Sequence, residues 1–532
     1  MGDSAHTDRY VIDHLPPKDL WPELLFDIDD VHYPEHLNIT TELLDKAIEK
    51  GWGDRVAIHS STDPMTYAEL NSCVDSIANV LVRDMGLKAG NRVLLRAPNS
   101  PMMAACHFAV WKAGGIVVAT MPMLRASELV KIINKAQITH ALVDHNLVGE
   151  LDEAKREAPT LAHIKSFGHC GDLGGACYKY TAPFPPAQTR SDDPALLAFT
   201  SGTTGQPKAC VHFHRDVLAM ADTFSKHIVK PSMDDVFAGS PPLAFTFGLG
   251  GMLIFPLRVG AATVLDEGVG PKGLLDAIEK YGVTSVFTAP TAYRAMLSML
   301  EGRDISSVHT CVSAGETMPK ATSDAWFEAT GIRAIDGIGA TEMIHIFISA
   351  SGDDIRPGAT GKPVPGYQAT ILGDDGTPMP TGEVGYLAVK GPTGCRYLDD
   401  ERQSTYVKNG WNVTGDTYRM DDEGYFWFVA RSDDMIVSGG YNIAGPEVEE
   451  GLLSHPDVLE CAVIGAPDPE RGTVVKAFVV LKAGAEANAK ALQDHVKQTI
   501  APYKYPRVIE FIDALPKTQT GKVQRFKLRE DS

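Results

Sequence analysis

The 532-residue sequence has little positive charge. Its 49 lysines and arginines stand against 68 aspartates and glutamates, which gives a formal net charge of −19 at pH 7. Large nucleic-acid-binding surfaces need clustered lysine and arginine, so this balance argues against a nucleic-acid partner. It does not exclude small anionic ligands, because these need only local positive charge.

The sequence also lacks a disulfide framework and a membrane segment. Its eight cysteines include no CxxC pair, and even the closest two, Cys170 and Cys177, are too far apart for one, so we expect free thiols in a reducing cytoplasm. The longest uncharged run, residues 236–257, is interrupted by prolines and glycines and is a poor membrane helix. The first residues contain no apolar signal core. We therefore expect a cytoplasmic protein without a membrane partner.

The remaining composition is that of a folded, multidomain chain. Hydrophobic residues make up 44% and charged residues 22% of it, which is ordinary for globular proteins. At about 150 residues per domain, the length predicts three or four structural units. Helical periodicity over residues 67–85 and 102–112 alternates with apolar strand patterns at 91–97 and 115–119. That alternation predicts parallel βαβ units.

The second half of the chain changes pattern twice. After about residue 360, short alternating apolar runs between glycine-rich turns predict antiparallel sheet. A boundary is predicted near residues 432–434. It is followed by helix patterns at 446–455 and 490–499, with two strand patterns around a turn at 468–472 between them. The final part of the chain therefore predicts a small, separate α+β domain.

Residues 200–208 carry the strongest chemical signal. They read TSGTTGQPK and directly follow an apolar strand pattern. Glycines let backbone N–H groups approach a phosphate, hydroxyl groups add donors, and Lys208 adds positive charge. The spacing differs from a Walker A loop, because only two residues separate Gly202 from Gly205 and Ala209 follows the lysine. The segment predicts a phosphate-binding loop of another kind.

With further motifs downstream, this loop resembles that of the AMP-forming adenylating enzymes, which include acyl- and aryl-CoA synthetases, adenylation domains and luciferases. The resemblance covers essentially the whole chain. It implies a large α/β N-terminal domain over residues 1–432, with two α/β subdomains and a smaller β subdomain, which holds ATP and the carboxylate. A small, mobile α+β C-terminal domain over residues 433–532 would carry the catalytic lysine.

The resemblance also implies roles for individual residues. Lys522, in the string PKTQTGK, corresponds to the catalytic lysine of adenylation, and Asp416, in TGD, corresponds to the acceptor of the ribose hydroxyl groups. Glu342, in GATE, corresponds to the magnesium ligand, in keeping with the preference of Mg²⁺ for oxygen. The implied ATP-binding residues are Thr200, Ser201, Gly202, Thr203, Thr204, Gly205, Lys208, Gly315, Glu316, Asp336, Gly337, Ile338, Thr341, Asp416 and Arg431.

A moving domain is implied as well. Asp433 corresponds to the hinge between the domains, and Gly439 and Gly440 correspond to the tunnel for the pantetheine arm of coenzyme A. Glycine suits the tunnel because a narrow arm can pass close to a backbone that carries no side chain. The expected cofactors and co-substrates are thus ATP, Mg²⁺ and coenzyme A, and a homodimer is kept open as the assembly.

For the acid, residues 336–349, DGIGATEMIHIFIS, most resemble the benzoate- and 2-aminobenzoate-CoA ligases. Benzoate ligases more often carry Ala-Tyr where this chain has Thr246-Phe247, and the hydroxyl of Thr246 would suit a polar ring substituent. The resemblance therefore implies an aryl-CoA ligase for an acid of the 2-aminobenzoate or benzoate type. Its implied substrate-binding residues are Thr246, Phe247, Gly339, His345 and Ile346.

Other functions share the same motifs. A stand-alone adenylation enzyme would load the acyl group onto a carrier protein, and an acyl-CoA synthetase would accept another small carboxylic acid. A luciferase-like oxygenase would oxidise the acyl-adenylate. A scaffold without catalysis would only bind nucleotide, but Lys522, Glu342 and Asp416 argue against it.

Overall fold

The computed structural model describes residues 4–200, 207–316, 318–431, 435–438, 441–468, 472–500, 502–517 and 523–530. All eight cysteines lie in these ranges and are free thiols, as expected from their spacing. Within the same ranges, no helix combines the length and the apolar character that crossing a membrane requires.

In the described part of the chain, helices and strands alternate up to about residue 350, and strands predominate from Lys362 to Ala444. The helices are α1 (Tyr10–Asp13), α2 (Lys46–Glu49), α3 (Tyr67–Asn79), α4 (Pro101–Lys112), α5 (Ala126–Ala136), α6 (Val148–Lys155), α7 (Asp172–Cys177), α8 (His214–Met220), α9 (Thr246–Leu249), α10 (Phe255–Val259), α11 (Pro271–Tyr281), α12 (Pro290–Leu297), α13 (Lys320–Thr330), α14 (Gln403–Tyr406), α15 (Gly445–Leu453), α16 (Ala489–Thr499) and α17 (Arg525–Glu530). The strands are β1 (Val56–His59), β2 (Met65–Thr66), β3 (Arg92–Arg96), β4 (Ile116–Thr120), β5 (His140–Asp144), β6 (His163–Phe167), β7 (Pro194–Thr200), β8 (Lys208–Phe213), β9 (Val236–Gly239), β10 (Ala262–Val264), β11 (Ser285–Thr288), β12 (Thr310–Ser313), β13 (Ile335–Gly339), β14 (Ile346–Ser349), β15 (Lys362–Pro363), β16 (Gln368–Leu372), β17 (Val384–Lys390), β18 (Val407–Lys408), β19 (Trp411–Met420), β20 (Phe426–Arg431), β21 (Met435–Ser438), β22 (Tyr441–Ala444), β23 (Val458–Asp468), β24 (Gly472–Leu481) and β25 (Val508–Phe511).

Two large sheets form the first two α/β subdomains. One has six strands in the order β6-β5-β3-β4-β7-β8, and all its neighbours are parallel except β7 and β8. The other has nine strands in the order β15-β14-β13-β12-β11-β9-β10-β1-β2, with parallel pairing in the middle and antiparallel pairs at both ends. The predicted parallel βαβ units are confirmed.

Local sequence explains why the elements begin where they do. Thr66 and Glu69 form a reciprocal capping box at the start of α3, and the helix continues beyond Asn79 as a π-helical segment, Val80–Asp84. Ser100 caps α4, with Pro101 in its first turn. Strand β3 is buried along its whole length, as expected for a strand covered by helices on both faces.

The rest of the chain forms a β subdomain and a small α+β unit. Strands β16-β17-β19-β18, with β20 beside β19, make an antiparallel sheet, as the alternating pattern predicted. Beyond it lie the β21–β22 hairpin, the sheet β23-β24-β25 and helices α15 to α17. The predicted domain limit falls at residues 432–434, outside the described residues, and the division at 432/433 stays a prediction.

Candidate active site

A cleft of about 920 Å³ lies between the large sheets and the C-terminal α+β unit. Its far side includes Glu449, Lys517, Val523 and Arg525, so the segment on either side of residues 518–522 faces the cleft. The structure thereby brings most of the downstream motifs together. Eight predicted site residues line the cleft: Gly315, Glu316, Asp336, Gly337, Ile338, Gly339, Asp416 and Arg431.

The predicted phosphate loop is described only at its two ends. Thr200 and Lys208 are cross-strand partners in the β7–β8 pair, so the loop connects two adjacent strands. Oγ1 of Thr200 is buried and has no hydrogen-bond partner, which leaves it available to a ligand oxygen. The predicted site residues that lie outside the described residues are Ser201, Gly202, Thr203, Thr204, Gly205, Asp433, Gly439, Gly440 and Lys522.

Strand β13 lines the cleft with one carboxyl group, that of Asp336, followed by Gly337, Ile338 and Gly339. Burial raises the pKa of the Asp336 carboxyl to about 7, although backbone groups of Met318 and Gly337 oppose this shift, and its Oδ1 has no hydrogen-bond partner. A Cβ on Gly337 would lie 2.7 Å from the Ile346 side chain. Gly337 thus packs closely against β14, and the unpaired carboxyl oxygen of Asp336 is an acceptor at this wall of the cleft.

Two residues predicted to face the ribose come together across β19 and β20. Asp416 and Arg431 are direct cross-strand partners, and Oδ1 of Asp416 lies 3.9 Å from Nη1 of Arg431. The Asp416 side chain is only 16% exposed, whereas that of Arg431 is 43% exposed. The carboxylate is thus held at the cleft wall by the sheet, as a hydroxyl-accepting group requires.

The predicted phosphate lysine and magnesium ligand meet at a tyrosine that the sequence analysis missed. Nζ of Lys208 donates to Oη of Tyr397 at 2.8 Å, and Oη donates to Oε1 of Glu342 at 2.5 Å. Nζ of Lys208 also lies 3.6 Å from the same Oε1. Burial and the neighbouring Glu342 carboxylate raise the pKa of Tyr397 well above its usual value, so the phenol stays protonated.

A buried polar network lies next to the cluster of Lys208, Tyr397 and Glu342. Nε2 of His212 donates to the carbonyl oxygen of Thr341 at 2.7 Å. Behind it, Oδ2 of Asp216 accepts two hydrogen bonds from Arg396, at 2.9 and 3.1 Å, with both side chains fully buried. Burial alone would raise the pKa of Asp216, but the Arg396 charge holds it below its usual value. The backbone next to Glu342 is therefore anchored to the core.

His345, one of the predicted acid-binding residues, is surrounded by aromatic rings, of which only Phe247 was predicted. The imidazole lies 4.7 Å from the ring of Phe255, 5.3 Å from Phe224 and 5.7 Å from Phe247, measured between centroids. Neither ring nitrogen has a partner within hydrogen-bond geometry, and burial lowers the pKa of His345 to about 3, although the nearby backbone of Phe247 opposes this shift. A Cβ on Gly250 would lie 2.5 Å from this imidazole, so glycine is needed there. His345 is consequently a neutral, unsatisfied polar group in an apolar setting.

The backbone joins this aromatic group to the cleft. Gly339 at the end of β13 pairs with Ile346 of β14, and a Cβ on Gly339 would lie 2.9 Å from the carbonyl oxygen of His345. Between them, Ile344 adopts φ 67°, a left-handed conformation that is costly for a β-branched residue. This residue lies in the turn that joins the antiparallel strands β13 and β14 and that contains both Glu342 and His345.

The carboxylate of Glu342 fits a magnesium ion that takes its other ligands from a substrate and from water. Among the described residues, no cluster of three or more histidine, cysteine, aspartate or glutamate side chains could hold a metal. Mg²⁺ commonly binds through one or two carboxylates together with phosphate oxygens and water. Glu342, beside Lys208, has the chemistry for such a shared site.

Comparison with known proteins agrees with this geometry. Residues 44–396 match the AMP-binding enzyme family, and residues 447–522 match the AMP-binding enzyme C-terminal domain. A benzoate–CoA ligase of Thauera aromatica is 35% identical over 512 residues, covering 94% of this chain and 97% of its own.

Solved structures show the same similarity over the whole fold. The anthranilate CoA ligase AuaEII, in complex with anthranoyl-AMP, has a TM-score of 0.90 at 34% identity and covers 95% of this chain and 99% of its own. A benzoate CoA ligase from Burkholderia xenovorans LB400 has a TM-score of 0.86 at 30% identity, with 93% and 100% covered. The chain belongs to the AMP-binding enzyme family. Within that family it is an AMP-forming acid–CoA ligase.

Proposed function

We propose that this ligase activates an aromatic carboxylate of the benzoate or 2-aminobenzoate type with ATP and transfers the acyl group to coenzyme A. In the first step, a carboxylate oxygen of the acid bonds to the α-phosphorus of ATP and pyrophosphate leaves. In the second step, the thiolate of coenzyme A attacks the acyl carbon of the acyl-adenylate, and AMP leaves as the thioester forms.

The observation that carries the aromatic substrate is the environment of His345. Phenylalanine rings on several sides favour a flat apolar substrate, while the neutral imidazole offers one donor and one acceptor to a ring substituent. The pairing of Ile346 with Gly339, which lines the cleft, supports an acid site next to the proposed ATP site. The benzoate and anthranilate ligases among the relatives support the same substrate class.

The proposed roles rest on where the described side chains lie and, for Lys522, on the motif that contains it. Asp336 and its strand would hold the adenine, and Asp416 the ribose. Lys208 and, from the C-terminal unit, Lys522 would offset the negative charges that oppose attack of a carboxylate on a phosphate. Glu342 would hold Mg²⁺, which when bound adds positive charge at the phosphates.

An acid panel tests the proposal. AMP release should be supported by benzoate or 2-aminobenzoate and should rise with added coenzyme A. Palmitate should be a far poorer substrate, because an enclosed aromatic site has no room for a long chain. Preference for palmitate, or use of a holo carrier protein in place of coenzyme A, would contradict it.

A pair of histidine variants tests the substituent contact. His345→Phe should raise the KM for 2-aminobenzoate about fivefold, in line with the loss of roughly one hydrogen bond, and should change the KM for benzoate much less. His107→Phe is the control, because His107 is equally buried, with Nε2 also unpartnered, but lies on α4. Equal effects on both acids would exclude His345 from substituent recognition.

A further inference from the structure

The contact between Lys208, Tyr397 and Glu342 is an interrupted ion pair. The two hydrogen bonds of the Tyr397 hydroxyl, 2.8 Å to Nζ and 2.5 Å to Oε1, connect the cation to the carboxylate through a neutral group. The charged atoms themselves stay 3.6 Å apart. A direct, charge-assisted contact between an ammonium and a carboxylate would be shorter, at about 2.7–2.9 Å.

The position of this hydroxyl is fixed by the backbone. Residues 396–398 add to the edge of β8: the N–H of Val211 donates to the carbonyl of Arg396, and the N–H of Leu398 donates to that of Ala209. The backbone N–H of Tyr397 also donates to Oε1 of the buried Gln403 at 2.9 Å. Because side chains alternate along a strand, Arg396 points to Asp216 and Tyr397 points to Lys208.

Exposure distinguishes the three side chains. Tyr397 is completely buried, whereas the Lys208 and Glu342 side chains keep 21% and 10% of their surface accessible. Both Tyr397 and Lys208 approach Oε1 of Glu342, which leaves Oε2 for another ligand. The cation and the carboxylate can therefore reach substrate groups, and the tyrosine cannot.

We propose that Tyr397 is a positioning residue that prevents Lys208 and Glu342 from pairing directly, so that the ammonium stays available to phosphate oxygens and the carboxylate to Mg²⁺. The proposal rests on the proposed roles of Lys208 and Glu342 in ATP binding. Without the hydroxyl, Lys208 would close the remaining gap to Glu342, and the metal would have to compete with an ammonium ion for the carboxylate.

Magnesium-dependent binding of α,β-methylene-ATP to the whole protein tests this role. Calorimetric titrations of the analogue at a series of Mg²⁺ concentrations give the concentration at which its affinity is half-maximal. Tyr397→Phe removes one oxygen and should raise that concentration about tenfold or more, since a hydrogen bond to a charged group is worth roughly 1.5–3 kcal/mol. The analogue binds without any acid, so this result is independent of the aromatic substrate.

Tyr406→Phe is the matched control. Its ring lies edge-on to that of Tyr397 at 5.8 Å, and its buried hydroxyl has no hydrogen-bond partner. Tyr406→Phe therefore removes the same kind of atom from a neighbouring ring without removing a hydrogen bond of the cluster. Its magnesium requirement should equal that of the wild type. Equal magnesium requirements for Tyr397→Phe and Tyr406→Phe would overturn the proposal.

A second variant keeps the test valid if Tyr397→Phe folds poorly, as judged by thermal unfolding against Tyr406→Phe. Tyr397→His retains a ring with a polar hydrogen and should need less Mg²⁺ than Tyr397→Phe. In the adenylation half-reaction, both variants should slow pyrophosphate release, while thioester formation from supplied acyl-adenylate should continue at the wild-type rate. A loss of both half-reactions to the same extent would indicate a general structural role and would also overturn the proposal.

Discussion

At the scale of single residues, Asp336 shows how burial in a cleft can raise the pKa of a carboxyl group to near neutral pH. Burial raises its pKa to about 7, compared with about 3.9 in an unfolded chain. Between these values the folded protein binds more protons than the unfolded chain. Stability must therefore fall as the pH rises through that window.

Asp336→Asn should remove this dependence, because an amide does not ionise. Between pH 5 and pH 8, the free energy of unfolding of the wild type should drop relative to the variant by on the order of 2 kcal/mol. Urea unfolding midpoints at both pH values measure the difference. Asp422→Asn, at an exposed turn position, serves as control. Wild type and Asp336→Asn curves that change in parallel with pH would show that Asp336 ionises normally in the folded state.

Residues in contiguous strings were predictable, and residues that act through tertiary contacts were not. Asp336, Asp416 and Arg431 line one cleft, although up to 95 positions separate them in the sequence. All three could be predicted because each belongs to a recognisable short motif. Tyr397 could not be found in this way. It contacts Lys208 across 189 positions, and it does so only because residues 396–398 pair with β8.

At the scale of elements, two ion pairs hold the residues that flank positions 518–522. Lys517 and Val523 form an antiparallel bridge at its base, and Nζ of Lys517 lies 2.5 Å from Oε1 of Glu460. On the other side, Arg525 donates to both carboxylate oxygens of Glu449, at 2.7 and 2.9 Å. The described residues on both sides of the predicted catalytic lysine are thereby attached to β23 and α15.

Glu449→Gln should loosen one of these anchors while preserving the shape of the side chain. We expect roughly a tenfold lower rate of pyrophosphate release, since a bidentate, charge-assisted contact is weakened, and an unchanged rate of thioester formation from supplied acyl-adenylate. Rapid-quench measurement of each half-reaction provides the test. Glu450→Gln, the exposed neighbour on α15, is the control. If Glu449→Gln released pyrophosphate as fast as Glu450→Gln, the anchor would have no role in adenylation.

The spacing of apolar residues predicted helices and strands well where one apolar helix face or one buried strand dominated the local sequence pattern. The helix expected over 102–112 is α4 (Pro101–Lys112), and the one expected over 446–455 is α15 (Gly445–Leu453). Conformations imposed by packing left no such pattern. The π-helical turn at Val80–Asp84 and the left-handed Ile344 between β13 and β14 have no local sequence signal.

At the scale of the whole molecule, the two sides of the cleft, formed by the large sheets with their helices and by the C-terminal unit, contact each other. Nη1 of Arg294 on α12 donates to the backbone carbonyl of Leu459 on β23 at 3.2 Å. Lys517 and Val523 face the same cleft as Asp336 and Asp416. In this arrangement, the described residues on either side of the predicted catalytic lysine face the cleft that contains Asp336 and Asp416. Thioester formation would need a second arrangement, in which Gly439 and Gly440 border the route for the pantetheine arm.

If the C-terminal unit alternates between these arrangements, mutations on its two faces should separate the two half-reactions. Lys522→Ala should lower the adenylation rate by about 10²–10³, because it removes a cation that acts on developing charge, and should spare thioester formation from supplied acyl-adenylate. Gly440→Leu should do the reverse, since its side chain would block a narrow arm but not pyrophosphate release. Lys527→Ala and Gly149→Leu are the controls, because Gly149 has open space where a Cβ would lie. If Lys522→Ala and Gly440→Leu impaired both half-reactions equally, with circular dichroism unchanged, a single fixed arrangement would have to serve both steps.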